Sequence, residues 1–125
     1  MKPKFRTTQD WEQAQLLMQP ILIRVVDNLR KQLDSFPGKS HYEEVETPYP
    51  GHQLCLTHEN KIVRVNLWEL CFQVCFIQYE VTDSTEEKLV EIDTRLLDEN
   101  GEVDWEILDD KVQQVIGNFF RNLLW

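Results

Sequence analysis

Residues 70–81, Leu-Cys-Phe-Gln-Val-Cys-Phe-Ile-Gln-Tyr-Glu-Val, decide how this chain is read. Apolar side chains fill both alternating sets, with Leu70, Phe72, Val74 and Phe76 on one and Cys71, Cys75, Ile77 and Tyr79 on the other. A strand covered by protein on both faces carries such a pattern, so the run is expected to be a central strand. Just upstream, Asn66 to Glu69 fits a bulge, a turn or a short helical turn. Before that, Gln53 to His58 and Lys61 to Leu67 are short runs separated by Glu59-Asn60, the spacing of a tight hairpin. From His41 to Gly51 the chain carries Pro48, Pro50 and Gly51, which suits an extended edge segment or a loop.

Downstream, Thr82 to Glu87 is polar and reads as a loop. Val90, Ile92, Thr94 and Leu96 then alternate with Glu91, Asp93 and Arg95, the pattern of a strand with one buried and one wet face. Asp98-Glu99-Asn100-Gly101 turns the chain, and Asp104 can cap a final helix. Its apolar stripe comprises Leu108, Val112, Val115, Ile116, Phe119, Phe120 and Leu123, with acids early and Arg121 late, as the helix dipole favours.

At the other end, Thr7 and Thr8 with Asp10 and Glu12 form a helix start. Trp11, Ala14, Met18, Ile21, Leu22, Val25, Leu29 and Leu33 recur at spacings of three and four. Pro20 lies inside this pattern, where it removes a backbone donor, so either the helix kinks or a second helix begins there. Phe36-Pro37-Gly38 ends the element. Connections between successive strands are too short for helical crossovers, so pairing should be antiparallel. The expectation is a single α+β domain, 1–125, with a mainly antiparallel sheet of four to five strands flanked by an N-terminal and a C-terminal amphipathic helix.

With 125 residues, 42% of them hydrophobic, the chain has the material for one core. No run reaches the roughly 20 apolar residues of a membrane span. The start, Met-Lys-Pro-Lys-Phe-Arg, lacks the apolar core of a secretory signal. Cys55, Cys71 and Cys75 are an odd number, each within an apolar run, which fits reduced thiols and a cytoplasmic location.

Charge is unevenly spread. Residues 80–110 hold thirteen acids against Lys88 and Arg95, whereas residues 1–40 hold seven Lys/Arg and four Asp/Glu. No dense basic run exists to release counterions from a phosphate backbone, so nucleic acid is disfavoured as a partner. The acidic segment either steers a basic protein partner or is a solvated face. The strip Cys71, Cys75, Ile77 and Tyr79 needs a cover, from the N-terminal helix or from a second subunit, and a homodimer is expected on the latter reading.

Catalytic motifs are not found. Gly38-Lys39-Ser40 lacks the phosphate-loop glycine five residues earlier, where Leu33 stands. No serine lies in a nucleophile elbow, and Leu96 and Ile107 would occupy ligand positions of a calcium loop centred on Gly101. His52, Cys55 and His58 are metal-ligand types, but on one strand the two histidines lie roughly 20 Å apart and Cys55 faces the other way. Cys71 and Cys75 would likewise be about 13 Å apart on a strand. Glu43 and Glu46 near His41 read as solvated side chains, so no metal ligands, cofactor site or catalytic residues are assigned.

The function expected is therefore a non-enzymatic protein interaction or assembly module. Its expected contact residues are the acids Glu91, Asp93 and Glu99, with Tyr79 and the terminal Trp125 as aromatic anchors. The alternative is a small-molecule binding domain or enzyme with a pocket between helices and sheet, using His41, His52 or His58 with a carboxylate.

Overall fold

The computed structural model describes residues 2–5, 7–46, 51–77, 79 and 87–123. Among the described residues, three helices and a three-stranded antiparallel sheet form an α+β fold, with a small parallel pair beside them. The strands are β1 (Lys2–Phe5), β2 (Lys39–Val45), β3 (Gly51–His58), β4 (Lys61–Asn66) and β5 (Glu87–Val90). The helices are α1 (Thr8–Asp34), α2 (Leu67–Cys75) and α3 (Trp105–Arg121). None is long and apolar enough to cross a membrane.

Residues 70–75 of the expected central strand belong instead to helix α2, while 78, 80 and 81 of that run lie outside the described residues; the physical reason for the helix lies at its first turn. The side-chain oxygen of Asn66 accepts the Trp68 amide at 2.8 Å, and Glu69 follows three residues after this cap. Almost every α2 side chain is buried, including Leu67, Leu70, Cys71, Val74 and Cys75. A segment buried on all sides carries no usable hydrophobic period, so strand and helix look alike in composition. The chain becomes extended only after α2, where Phe76 bridges Ile92.

Helix α2 joins the two layers of the molecule. α1 and α3 pack on it and on each other, while β3 and β4 pack on its other side. The face of β3 turned toward the helices carries Leu54 and Leu56, both fully buried. Cys71 and Cys75 are covered within the one chain, so they give no reason for a second subunit. Of the strip they were grouped with, Ile77 is exposed and Tyr79 half-buried.

The sheet is three strands in the order β2-β3-β4, narrower than four to five. Its hairpin forms at Glu59-Asn60, whose φ values of 48° and 69° are both in the left-handed region demanded by a twisted two-residue turn. β1 pairs in parallel with β5, Phe5 opposite Val90. No short crossover is required there, because most of the chain runs between the two strands.

The alternating stretch after Val90 is not one strand either. β5 ends at Val90, and residues 94–96 form a 3-10 turn after Asp93, whose side chain accepts the Arg95 amide. Val90, Ile92 and Leu96 are buried as the alternation requires, but the bend at the 3-10 turn breaks it between them, burying Asp93 and leaving Thr94 exposed.

α1 is one helix of 27 residues with Pro20 inside it, rather than two. Ala14, Leu17, Ile21, Val25 and Leu29 form its buried face, while Leu16, Ile23 and Val26 are exposed. The Leu16 carbonyl that Pro20 leaves without an amide therefore belongs to the water-facing side, where solvent can serve it. The Thr7 cap on Asp10 and the Asp104 cap on Ile107 form as expected. Trp11, part of the expected α1 stripe, is half-exposed.

Candidate functional site

Among the described residues expected at a contact, Asp93 is the most deeply placed, 1% exposed. Its carboxylate accepts hydrogen bonds from Arg95 Nε at 3.0 Å, an Arg95 terminal nitrogen at 2.9 Å and Lys111 Nζ at 2.7 Å. Its amide donates to the Cys75 carbonyl at 2.9 Å. The Arg95 guanidinium first, and then Lys111, hold the carboxyl far below the usual carboxylate range against the opposing effect of burial. Asp93 is thus a structural anion that ties the end of α2 and the 3-10 turn to α3, and it is not a surface charge.

The other expected residues separate. Glu91 and Glu99 are exposed, Glu99 in the turn before α3. Tyr79 donates its hydroxyl to Glu69 at 2.7 Å and packs against Phe72 and Phe76, with ring centroids 5.7 and 5.9 Å away. It closes an aromatic cluster that also holds Phe5 and Trp68. Trp125 lies outside the described residues.

A different surface combines acid with exposed apolar area. Residues 97–110 contain seven Asp/Glu and no Lys or Arg. Within them Trp105 is 46% and Ile107 40% exposed at the first turn of α3, beside exposed Glu102, Glu106 and Asp110. Arg24 of α1 lies over the Trp105 ring, 4.8 Å from its centroid, and its Nε is 3.2 Å from an Asp109 oxygen. Trp105 is thereby held on the surface by a cation rather than drawn into the core. The acid-rich stretch was legible in the sequence. Trp105 stands in the sequence as one of four tryptophans that can anchor a contact, and the orientation of α3 is what places it on the surface.

The second cluster lies on the face of the sheet turned away from the helices. Cross-strand register sets His41 and Arg64 on either side of Cys55, and Glu43 opposite Gln53. Residues directly opposite share a face, so all five side chains project together. His41 Nε2 is 2.8 Å from Glu43 Oε1, and the Gln53 amide donates to the other Glu43 oxygen at 3.3 Å. Ligating atoms of His41, Glu43 and Cys55 all lie within 4.8 Å of one another. The His41 bond first, then those from Gln53 and Cys55, lower the Glu43 carboxyl, while burial and Glu43 raise the Cys55 thiol.

This is not the arrangement of a thiol nucleophile. In such a pair the imidazole takes the thiol proton and the carboxylate orients the imidazole. Here Glu43 bonds to both His41 and Cys55, which keeps the thiol protonated. Along-strand spacing pairs Cys55 with His52 and His58 and so misses this group, whose members meet only across strands. His52 and His58 stand beside Glu44 and Glu59 at 4.0 and 3.8 Å instead.

A cleft of about 760 Å³ opens between β4, α2 and the end of α3, lined by Ile62, Val63, Gln73, Asn118, Phe119 and Leu123 among others. It lies between helices and sheet, but none of the three histidines lines it. Comparison with family models, with curated proteins and with solved structures finds no match to this chain.

Proposed function

We propose that this chain is a non-enzymatic protein interaction module that receives a basic, amphipathic segment of a partner at the first turn of α3. The observation that carries the reading is the pair Trp105 and Ile107, exposed within an acidic stretch that contains no base. Exposed aromatic and aliphatic side chains supply contact area, and Glu102, Glu106 and Asp110 supply orientation by complementary potential. Glu99, in the turn before α3, adds to this negative field, and the exposed Glu91 and Trp125 are further contact residues in this proposal. Asp93 has no part in it, because its charge is consumed internally by Arg95 and Lys111.

The reading is tested by calorimetric titration with two synthetic helical peptides of the same apolar pattern, one lysine-rich and one glutamate-rich. The lysine-rich peptide should bind, more weakly as salt rises, and lose most of its affinity for Glu106→Lys/Asp110→Lys protein. Equal behaviour of both peptides, or of wild type and the charge-reversed protein, contradicts the proposal.

A further inference from the structure

We propose that His41, Glu43 and Cys55 form a binding site for one divalent transition-metal ion of the zinc class on the open face of the sheet. The three side chains are a nitrogen, an oxygen and a sulfur donor, the set that zinc and its borderline neighbours accept, whereas calcium and magnesium require oxygen ligands throughout. The backbone that presents them is rigid where it matters. His41 and Glu43 are two residues apart on β2, and Cys55 is the register partner of His41 on β3, so the ladder itself sets the spacing.

Ligand separations also fit. With metal–ligand distances of about 2.0 to 2.3 Å, donors around a tetrahedral ion lie roughly 3.3–3.7 Å apart. The three donor atoms already lie within 4.8 Å of one another, and His41 and Glu43 are in hydrogen-bond contact at 2.8 Å. Side-chain rotations alone can bring them to one ion. Gln53 holds the second Glu43 oxygen at 3.3 Å and so orients the carboxylate, as outer partners of metal ligands do. The His41 and Glu43 side chains are substantially exposed, which leaves the fourth coordination position to solvent.

Binding replaces existing contacts in a balanced way. The Cys55 S–H bond breaks, a sulfur–metal bond forms, and the thiol proton leaves to solvent. No electron is transferred. The charged groups facing the sulfur are Glu43 and His41 from β2 and Arg64 from β4. Arg64 is the one that opposes a cation, so the ion must displace its guanidinium from Cys55.

The test is titration of the full chain, freed of metal by a chelator and kept reduced with a phosphine, with cobalt(II) as an optical stand-in for zinc. The expected result is a thiolate-to-cobalt charge-transfer band that saturates at one ion per chain, disappears on adding zinc and is accompanied by proton release. Cys55→Ser should abolish the band, His41→Ala and Glu43→Gln should weaken binding at least about tenfold, and Gln53→Ala about tenfold. Arg64→Ala should tighten it. No charge-transfer band in the reduced wild type overturns the proposal, as does a band that survives in Cys55→Ser. Far-ultraviolet circular dichroism of each variant distinguishes lost ligation from lost structure.

Discussion

Asp93 and Lys111, eighteen residues apart, meet at 2.7 Å, and that contact fastens α3 to the end of α2. The same ammonium reaches the Phe76 carbonyl at 3.4 Å, the first residue after α2. A buried carboxylate is tolerated there because three donor groups surround it. Removing it as Asp93→Ala strands a half-buried Lys111 and should cost about 3 kcal/mol, the lower part of the range for breaking a buried pair, since Arg95 is exposed. Urea denaturation of the two proteins measures this directly, and a loss below about 1 kcal/mol rejects the structural role.

The same carboxyl gives a signed pH dependence. Its folded-state pKa is depressed, so it contributes stability above the ordinary Asp value of about 3.9, and that contribution drains away as pH falls below it. Asp93→Asn should therefore lose part of the wild-type's acid sensitivity below about pH 4, while remaining less stable at neutral pH. Parallel stability curves for the two proteins between neutral and acid pH contradict this.

Burial pushes the thiols of Cys71 and Cys75 up to about 12. A group whose pKa is raised by folding contributes stability below its unfolded value of about 8.5 and loses it as pH rises toward the folded value. Both should resist alkylation in the native chain near neutral pH and react on unfolding, which mass spectrometry of pulse-labelled protein reads residue by residue. Fast native labelling of either contradicts their place in the core.

Gly38 abuts the sheet so closely that an added β-carbon would stand 2.1 Å from the Thr57 carbonyl oxygen and 3.0 Å from the His58 β-carbon. Gly38→Ala should destabilise the fold by about 1–3 kcal/mol, because the obstruction is backbone and cannot swing aside. At the neighbouring hairpin the sign reverses. Glu59 sits at φ 48°, and replacing it as Glu59→Asn should stabilise by up to about 1 kcal/mol, since asparagine accepts the left-handed region more readily. Thermal melts of the two variants should move in opposite directions.

What was legible from sequence is the set of features governed by neighbouring residues. The caps at Thr7 and Asp104 and the Glu59-Asn60 hairpin depend on local chemistry and are where it puts them; of the stretch from His41 to Gly51, read as an edge segment or a loop, residues 41–45 belong to the edge strand β2 and 47–50 lie outside the described residues. Residues 70–75 were misread because burial on every side erases the period that separates helix from strand, although Asn66 and Glu69 already marked a helix start. β1 escaped notice because its partner, β5, is about two thirds of the chain length away and contributes four residues. For the candidate sites, the acids of the α3 start were visible, whereas the His41, Glu43 and Cys55 cluster depends on cross-strand register, which no along-chain spacing reveals.

The most direct test of the proposed function is an amide-resolved NMR titration of the full chain with the lysine-rich amphipathic peptide at low salt. Perturbations concentrated on residues 99–110 and on Arg24, and suppressed by salt, are the predicted result. Perturbations confined to the sheet, or none at any peptide concentration, contradict the assignment of the α3 first turn as the partner-binding surface.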